Sequence, residues 1–353
     1  MKKYCYQCFF FINSHVELFS FFETCHFSHC IPVLRSVSAN CADDKYKMDV
    51  KMTEKNQQPL NDALFTDFIQ GYWRMAQWGM TAQERLTFIK QHMELGITTV
   101  DHAPVYGKPS CELLFGEALK LQPSVRDDLT IISKCGIVPG KEVNGTSQVA
   151  YYDSRASHIL SSVDESLQRL GVDNLDILLI HRPDLLMDAD EINDAFEKLY
   201  QAGKVKHFGV SNFSKDEFSL LQSRVEKPLV TNQIEINPLH TQAIEDGTLA
   251  QLQQHRVRPM AWSCLAGGDI YNGDSEQARR VRDTLNVLKE ELNADSIDQV
   301  IFAWLMRLPT KPALLLGTGK IERVRTAVAA QQLELTHEQW YRLLEASKGH
   351  GVA

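Results

Sequence analysis

Several things are scarce in this 353-residue chain. It has no uninterrupted run of about 18 apolar residues, so no transmembrane helix is expected. Positive charge is in deficit: the formal net charge is −8, which disfavours a nucleic-acid partner. The Gly-x-Gly-x-x-Gly fingerprint is missing, so a Rossmann dinucleotide fold is not indicated. Cysteine is sparse beyond the first fifty residues. Only Cys111, Cys135 and Cys264 lie there, and free thiols of this kind suit a reducing cytosol, where they pack as small hydrophobes. A cytoplasmic location is therefore expected.

The other five of the eight cysteines crowd into residues 1–50, a stretch also dense in phenylalanine. A secretory signal needs an unbroken apolar core, and Asn13, Ser14, His15 and Glu17 interrupt this one. Cys5, Cys8, Cys25, His26, His29 and Cys30 fit no recognised zinc spacing. We expect residues 1–50 to lie outside the folded domain, as a disordered extension or as sequence upstream of a true start at Met48 or Met52. The domain then occupies residues 51–353.

What is present centres on Asp101-His102-Ala103-Pro104-Val105-Tyr106-Gly107. These residues follow a strand-like run, Thr98 to Val100, and precede a segment of helical character, Ser110 to Leu121. A phenol is an acid near neutral pH only if its pKa of about 10 is lowered. A nearby cation does that, and a carboxylate can fix the cation. The next strand-like run, Leu129 to Ser133, ends in Lys134. The one after it, Leu175 to Ile180, ends in His181. Further runs are Phe68–Trp73, Lys206–Val210, Leu229–Ile234, Pro259–Trp262 and Ala313–Leu316. Between them lie helices announced by Thr81-x-x-Glu84, Ser214-x-x-Glu217 and Thr336-x-x-Gln339 capping boxes and stopped by Gly96, Gly171 and Gly203. Eight strands alternating with helices predict an α/β fold, a (β/α)8 TIM barrel with a C-terminal helix. Its catalytic face lies at the strands' C-terminal ends. Two long Gly-containing connections, 136–153 and 265–275, belong to that face and read as covers.

Taken singly, these residues have plainer readings. Asp101 can cap a helix, Tyr106 can be a packed aromatic, and His181 a hydrogen-bonded core imidazole. Asp101, His102 and His181 lack a further ligand with metal-site spacing, so no metal is expected. A glycosidase would need paired carboxylates at two strand ends, and none are found.

Together the residues carry a resemblance. From about Phe65 to Trp340 the chain resembles the aldo-keto reductases, whose pattern is an Asp-x-Ala-x-x-Tyr-Gly turn, a Lys ending the next strand and a His ending the one after. That resemblance implies an NADP(H)-dependent oxidoreductase acting on a small-molecule aldehyde or ketone. Tyr106 is then the proton donor, Lys134 lowers its pKa, Asp101 holds Lys134, and His181 orients the carbonyl. It also implies cofactor residues. Ser211, Asn212 and Gln233 hold the nicotinamide amide. Trp262, where the family usually has Tyr, stacks on the ring, with Ser263 and Leu265 following. Gly317, Gly319, Lys320 and Arg323 form the phosphate loop and helix start, with Arg325 nearby. Trp73 and Arg182 fall in the substrate pocket. Arg182 replaces a common aromatic; it either favours anionic carbonyls or pairs with Asp184. Thr326 and Ala327 replace Glu and Asn on the adenine, and His102 fills a position often Thr. The alternative from another class is a catalytically weak NADP(H)-binding sensor on the same fold. Oligomeric state is not indicated.

Overall fold

The computed structural model describes residues 64–352, apart from 108–109 and 144–145. The extension expected at residues 1–50 lies outside the described residues. Eight strands form a closed parallel barrel. They are β1 (Phe68–Gly71), β2 (Thr99–Asp101), β3 (Thr130–Cys135), β4 (Leu175–Ile180), β5 (Val205–Ser211), β6 (Leu229–Glu235), β7 (Met260–Trp262) and β8 (Ala313–Leu316). Each pairs with its sequence neighbour, and β1 closes the ring by pairing with both β8 (Phe68 with Leu314) and β2 (Gln70 with Val100). All eight match the runs expected from the sequence.

The surrounding helices are α1 (Ala82–Glu94), α2 (Cys111–Leu119), α3 (Ala156–Leu170), α4 (Ala189–Gln201), α5 (Lys215–Gln222), α6 (Thr248–Gln254), α7 (Glu276–Glu291), α8 (Ile297–Met306), α9 (Ile321–Ala329) and α10 (His337–Lys348). The three capping boxes form at Thr81, Ser214 and Thr336. Each satisfies two amides that a helix start would leave unpaired. Gly171 ends α3 with φ 68°, a left-handed turn open to glycine at no steric cost.

Strand periodicity sorts the core into two faces. Ile69, Ile132, Ile177, Leu179, Met260 and Ala313 pack together inside the barrel. Leu178, Ile180 and Phe208 face the helices instead, with Ile159 and Val163 of α3 and Phe196 of α4. Side chains alternate along a strand, so Lys134, two residues beyond Ile132, points into the same interior. That is what puts a charged group at the mouth of an apolar barrel.

The connection after β3 is ordered as antiparallel pairs, Ile137–Val138 with Tyr151–Tyr152 and Lys141–Val143 with Thr146–Gln148. The connection after β7 carries a 3-10 turn, Ala266–Gly268, a short helix, Asp269–Asn272, and then α7 and α8. The C-terminal helix is clasped to α8 by two indoles. Trp304 Nε1 donates to the Trp340 carbonyl at 3.0 Å, Trp340 Nε1 donates to the Trp304 carbonyl at 3.0 Å, and the rings stack 5.2 Å apart. Among the described residues no helix is long and apolar enough to cross a membrane.

Candidate active site

The C-terminal ends of β2, β3 and β4 bring four side chains together. Lys134 Nζ donates to Asp101 Oδ1 at 2.6 Å and to the His102 carbonyl at 2.9 Å. Both partners are sealed, Lys134 0% and Asp101 2% exposed. A charge taken out of water this far stays charged only with close partners. Burial pushes the Lys134 ammonium below the ordinary lysine range, while Asp101 and, less strongly, buried Glu112 pull it back. Lys134 Nζ lies 4.9 Å from the centre of the Tyr106 ring. The Tyr106 and His181 rings meet edge to face at 5.8 Å.

Burial and neighbouring charges set the proton affinities. Burial raises the Tyr106 phenol well above its usual value, Asp101 raises it further, and the cation acting to lower it is Arg182. The phenol therefore keeps its proton at neutral pH. His181 is pushed down to about 2, first by burial and then by Lys134 and Arg182. It is a neutral imidazole, able to donate one hydrogen bond. His102 lies behind, fully buried and pushed to about 3 by burial and then by Lys134, stacked on Tyr72 at 5.0 Å and edge to face with Phe115 at 4.4 Å.

From Asp101 a hydrogen-bonded chain crosses the mouth. Gln233 Nε2 donates to Asp101 Oδ1 at 2.8 Å. Ser211 Oγ donates to the Gln233 carbonyl at 2.8 Å. Asn212 Nδ2 donates to Ser211 Oγ at 2.8 Å and to the His181 carbonyl at 3.2 Å. Trp262 Nε1 donates to Asn212 Oδ1 at 3.1 Å. Strand register brings this about, since Gln233 pairs with Ser211 and Glu235 with Trp262. Asn212 and Ser263 both take left-handed backbone, φ 61° and 55°. That is uncommon outside glycine and usually reserved for sites that need it. Ser263 accepts from the Ala266 amide at 2.7 Å, and Leu265 packs on the core beside it.

The loop after β8 has the form of an anion cradle. Space beside Gly317 is open. A methyl group on Gly319 would lie 2.5 Å from Trp78 Cδ2, so only glycine lets the backbone pass there. Lys320 is the N-cap of α9 and makes no side-chain cap; the Arg323 amide donates to the Lys320 carbonyl at 3.1 Å, and among the described residues the Ile321 and Glu322 amides are left for a ligand. Lys320 and Arg323 are exposed. Glu322 lies 3.7 Å from Arg325, and Arg323 has no ion pair among the described residues. Chemically this donor set fits a dinucleotide phosphate.

Two expected pocket residues are placed differently. Trp73 is 58% exposed, with the Arg74 guanidinium 4.9 Å over its ring. No hydrogen bond or ring contact among the described residues joins it to the four-residue cluster. Arg182 lies beside the cluster, its guanidinium 5.9 Å from the Trp262 ring centre. It does not pair with Asp184, whose carboxylate accepts from Ser154 N and Oγ, both at 3.0 Å, and from Leu186 N at 2.9 Å.

Three supporting residues were not singled out from the sequence. Gln70 of β1 is fully buried and donates to the Thr318 carbonyl at 3.0 Å, holding the β8 loop from beneath. Glu112 accepts from Ser133 Oγ at 2.6 Å and from Arg169 Nε at 2.7 Å, behind Lys134. The carboxyl of Asp298, raised by burial, feels the Arg323 charge. A polar residue inside an apolar run, as at Gln70 and Glu112, was the available signal.

A family model described as the aldo/keto reductase family matches residues 68–348. Oxidoreductase YdhF of Escherichia coli is 53% identical over 289 residues, which cover 82% of this chain and 95% of that protein. A 6-dehydroglucose reductase of Agrobacterium fabrum is 40% identical, covering 83% of this chain and 98% of its own. Among solved structures, a glycerol dehydrogenase from Gluconobacter oxydans superposes with a TM-score of 0.70 at 25% identity, over 81% of this chain and 92% of that one.

Proposed function

The chain belongs to the aldo/keto reductase family, and we propose that it reduces an aldehyde or ketone at the expense of NADPH, with Tyr106 as proton donor. The observation that carries this reading is the sealed Lys134–Asp101 pair at 2.6 Å beside Tyr106 and His181. Bound NADPH would supply the hydride, which no side chain can. Tyr106 would give its phenolic proton to the carbonyl oxygen as negative charge develops there. Neutral His181 would donate a hydrogen bond to the same oxygen and fix its direction. Lys134 would then stabilise the phenolate left behind, with Asp101 keeping the ammonium in place. Its cation matters most in that charged state, and the resting pair is neutral.

For the cofactor, Ser211, Asn212 and Gln233 are proposed to hold the nicotinamide amide. Among the described residues Gln233 Oε1 accepts no hydrogen bond, so it is available to an amide N–H. Trp262 would supply the stacking face, with Ser263 and Leu265 shaping the turn beside it. Gly317, Gly319, Lys320 and Arg323 would receive the phosphates. Trp73 and Arg182 would border the substrate. The relatives' 6-dehydroglucose reductase activity makes sugar aldehydes one class to try.

Mixing the protein with NADPH and 4-nitrobenzaldehyde, and following cofactor absorbance, tests the reading. Saturable NADPH consumption is expected. Quenching of tryptophan fluorescence by NADPH with no consumption across a panel of carbonyls would point instead to a cofactor sensor.

A further inference from the structure

We propose that Arg182 is a substrate-reading cation, and that the preferred substrates are small aldehydes or ketones bearing a carboxylate or another oxyanion. This rests on the reductase reading above and names the substrate class of the same site. The first ground is the state of the guanidinium. Arg182 is half-buried, and among the described residues it has no hydrogen bond and no carboxylate within ion-pair reach. Its guanidinium carbon lies over the Trp262 ring, 5.9 Å from the ring centre. No Arg182 nitrogen is among the sealed unpaired polar atoms, so its donors stay open at the site, and a bound oxyanion would engage two of them at once.

The second ground is that no nearby acid pairs with Arg182. The acids of the pocket rim are committed elsewhere. Asp101 is matched by Lys134, Asp184 is bound by Ser154 and Leu186, and Glu235 accepts from Asn237 at 3.2 Å. Lys134 is already paired with Asp101, and Arg182 stands beside that pair with no ion pair of its own among the described residues. The charge is felt at the reacting groups, since Arg182 acts on both the Tyr106 phenol and the His181 imidazole. An anion bound to Arg182 would therefore belong to the same small molecule as the carbonyl.

The third ground is that Arg182 is held in place. Pro183 restricts the backbone before it to extended conformations. Asp184 then ties this turn to Ser154 on the neighbouring connection. A guanidinium on a pinned turn loses less freedom on binding.

A matched pair decides the matter: 4-carboxybenzaldehyde and its methyl ester, methyl 4-formylbenzoate, each with NADPH. In wild type, kcat/KM should favour the carboxylate. In Arg182→Met the carboxylate-to-ester ratio should fall about 10- to 100-fold, the scale of one charge-assisted bond, and Arg182→Lys should recover part of it. A ratio that stays the same in Arg182→Met, or a wild type that prefers the ester, overturns the proposal. Binding is read separately, by tryptophan quenching with 4-(hydroxymethyl)benzoate and its methyl ester. If neither aldehyde is turned over, the reductase reading fails. The anion site is then judged on whether the carboxylate binds more tightly than the ester and loses that advantage in Arg182→Met.

Discussion

At the scale of single residues, protonation state decides what each group can do. His181 sits near 2 because its burial and two neighbouring cations all oppose a second proton. An unperturbed imidazole titrates near 6.5. The rate of carbonyl reduction should therefore show no inflection near that ordinary value, and none that disappears in His181→Gln. An inflection between about pH 6 and 7 that the variant abolishes would show that the imidazole titrates and is not a fixed neutral donor. Asp101, Tyr106, Lys134 and His181 were legible in the sequence because each ends or follows a strand-like run, and chain order alone puts such ends side by side. The phenol's proton affinity was not legible. Its direction depends on burial and on the charges of Asp101 and Arg182, and these are set by residues far apart in the chain. The bond from Gln233 to Asp101, which spans 132 positions, escaped for the same reason.

The element with most at stake is α9. It opens on Lys320 without a side-chain cap, and its first turn carries Arg323. Glu322 leans toward Arg325, so the acid next to Arg323 in the chain is engaged elsewhere, and Asp298 feels the Arg323 charge without an ion pair among the described residues. NADPH differs from NADH by a phosphate on the adenine ribose, and cations at that position select it. Arg323→Ala should weaken NADPH binding roughly 10- to 100-fold and NADH binding far less. Fluorescence-quenching titrations with both cofactors measure this, and parallel loss would mean the arginine does not read the phosphate. The barrel strands were readable as short apolar runs bounded by glycine-stopped helices. The pair α7 and α8 between β7 and β8 was not assigned. In α7 the signal existed: Ala278, Val281, Leu285 and Leu288 are all buried at helical spacing. Helix α8 is buried almost all round, and an apolar run of that kind has no periodicity to separate helix from strand.

For the whole molecule, burial of uncharged imidazoles ties the fold to pH. His92, His102 and His181 are held at about 4, 3 and 2. The unfolded chain takes protons on these groups near 6.5, and the fold refuses them. Stability is therefore full above the unfolded value and falls as pH drops below it, until each folded value is reached. The loss is up to roughly 2 kcal/mol per histidine between pH 6.5 and 5. Urea unfolding at about pH 7 and about pH 5 measures it, and equal stability at the two would mean these imidazoles are not neutral in the fold. The same interior that excludes their protons keeps Lys134 and Asp101 dry and Tyr106 protonated, so the central claim concerns one proton on one oxygen. The direct test compares wild type with Tyr106→Phe in a single turnover of 4-nitrobenzaldehyde, after NADPH binding has been titrated in both. Equal NADPH affinity with hydride transfer slowed about 10²- to 10⁴-fold is expected. Transfer near the wild-type rate in the phenylalanine variant would contradict the assignment of Tyr106 as proton donor.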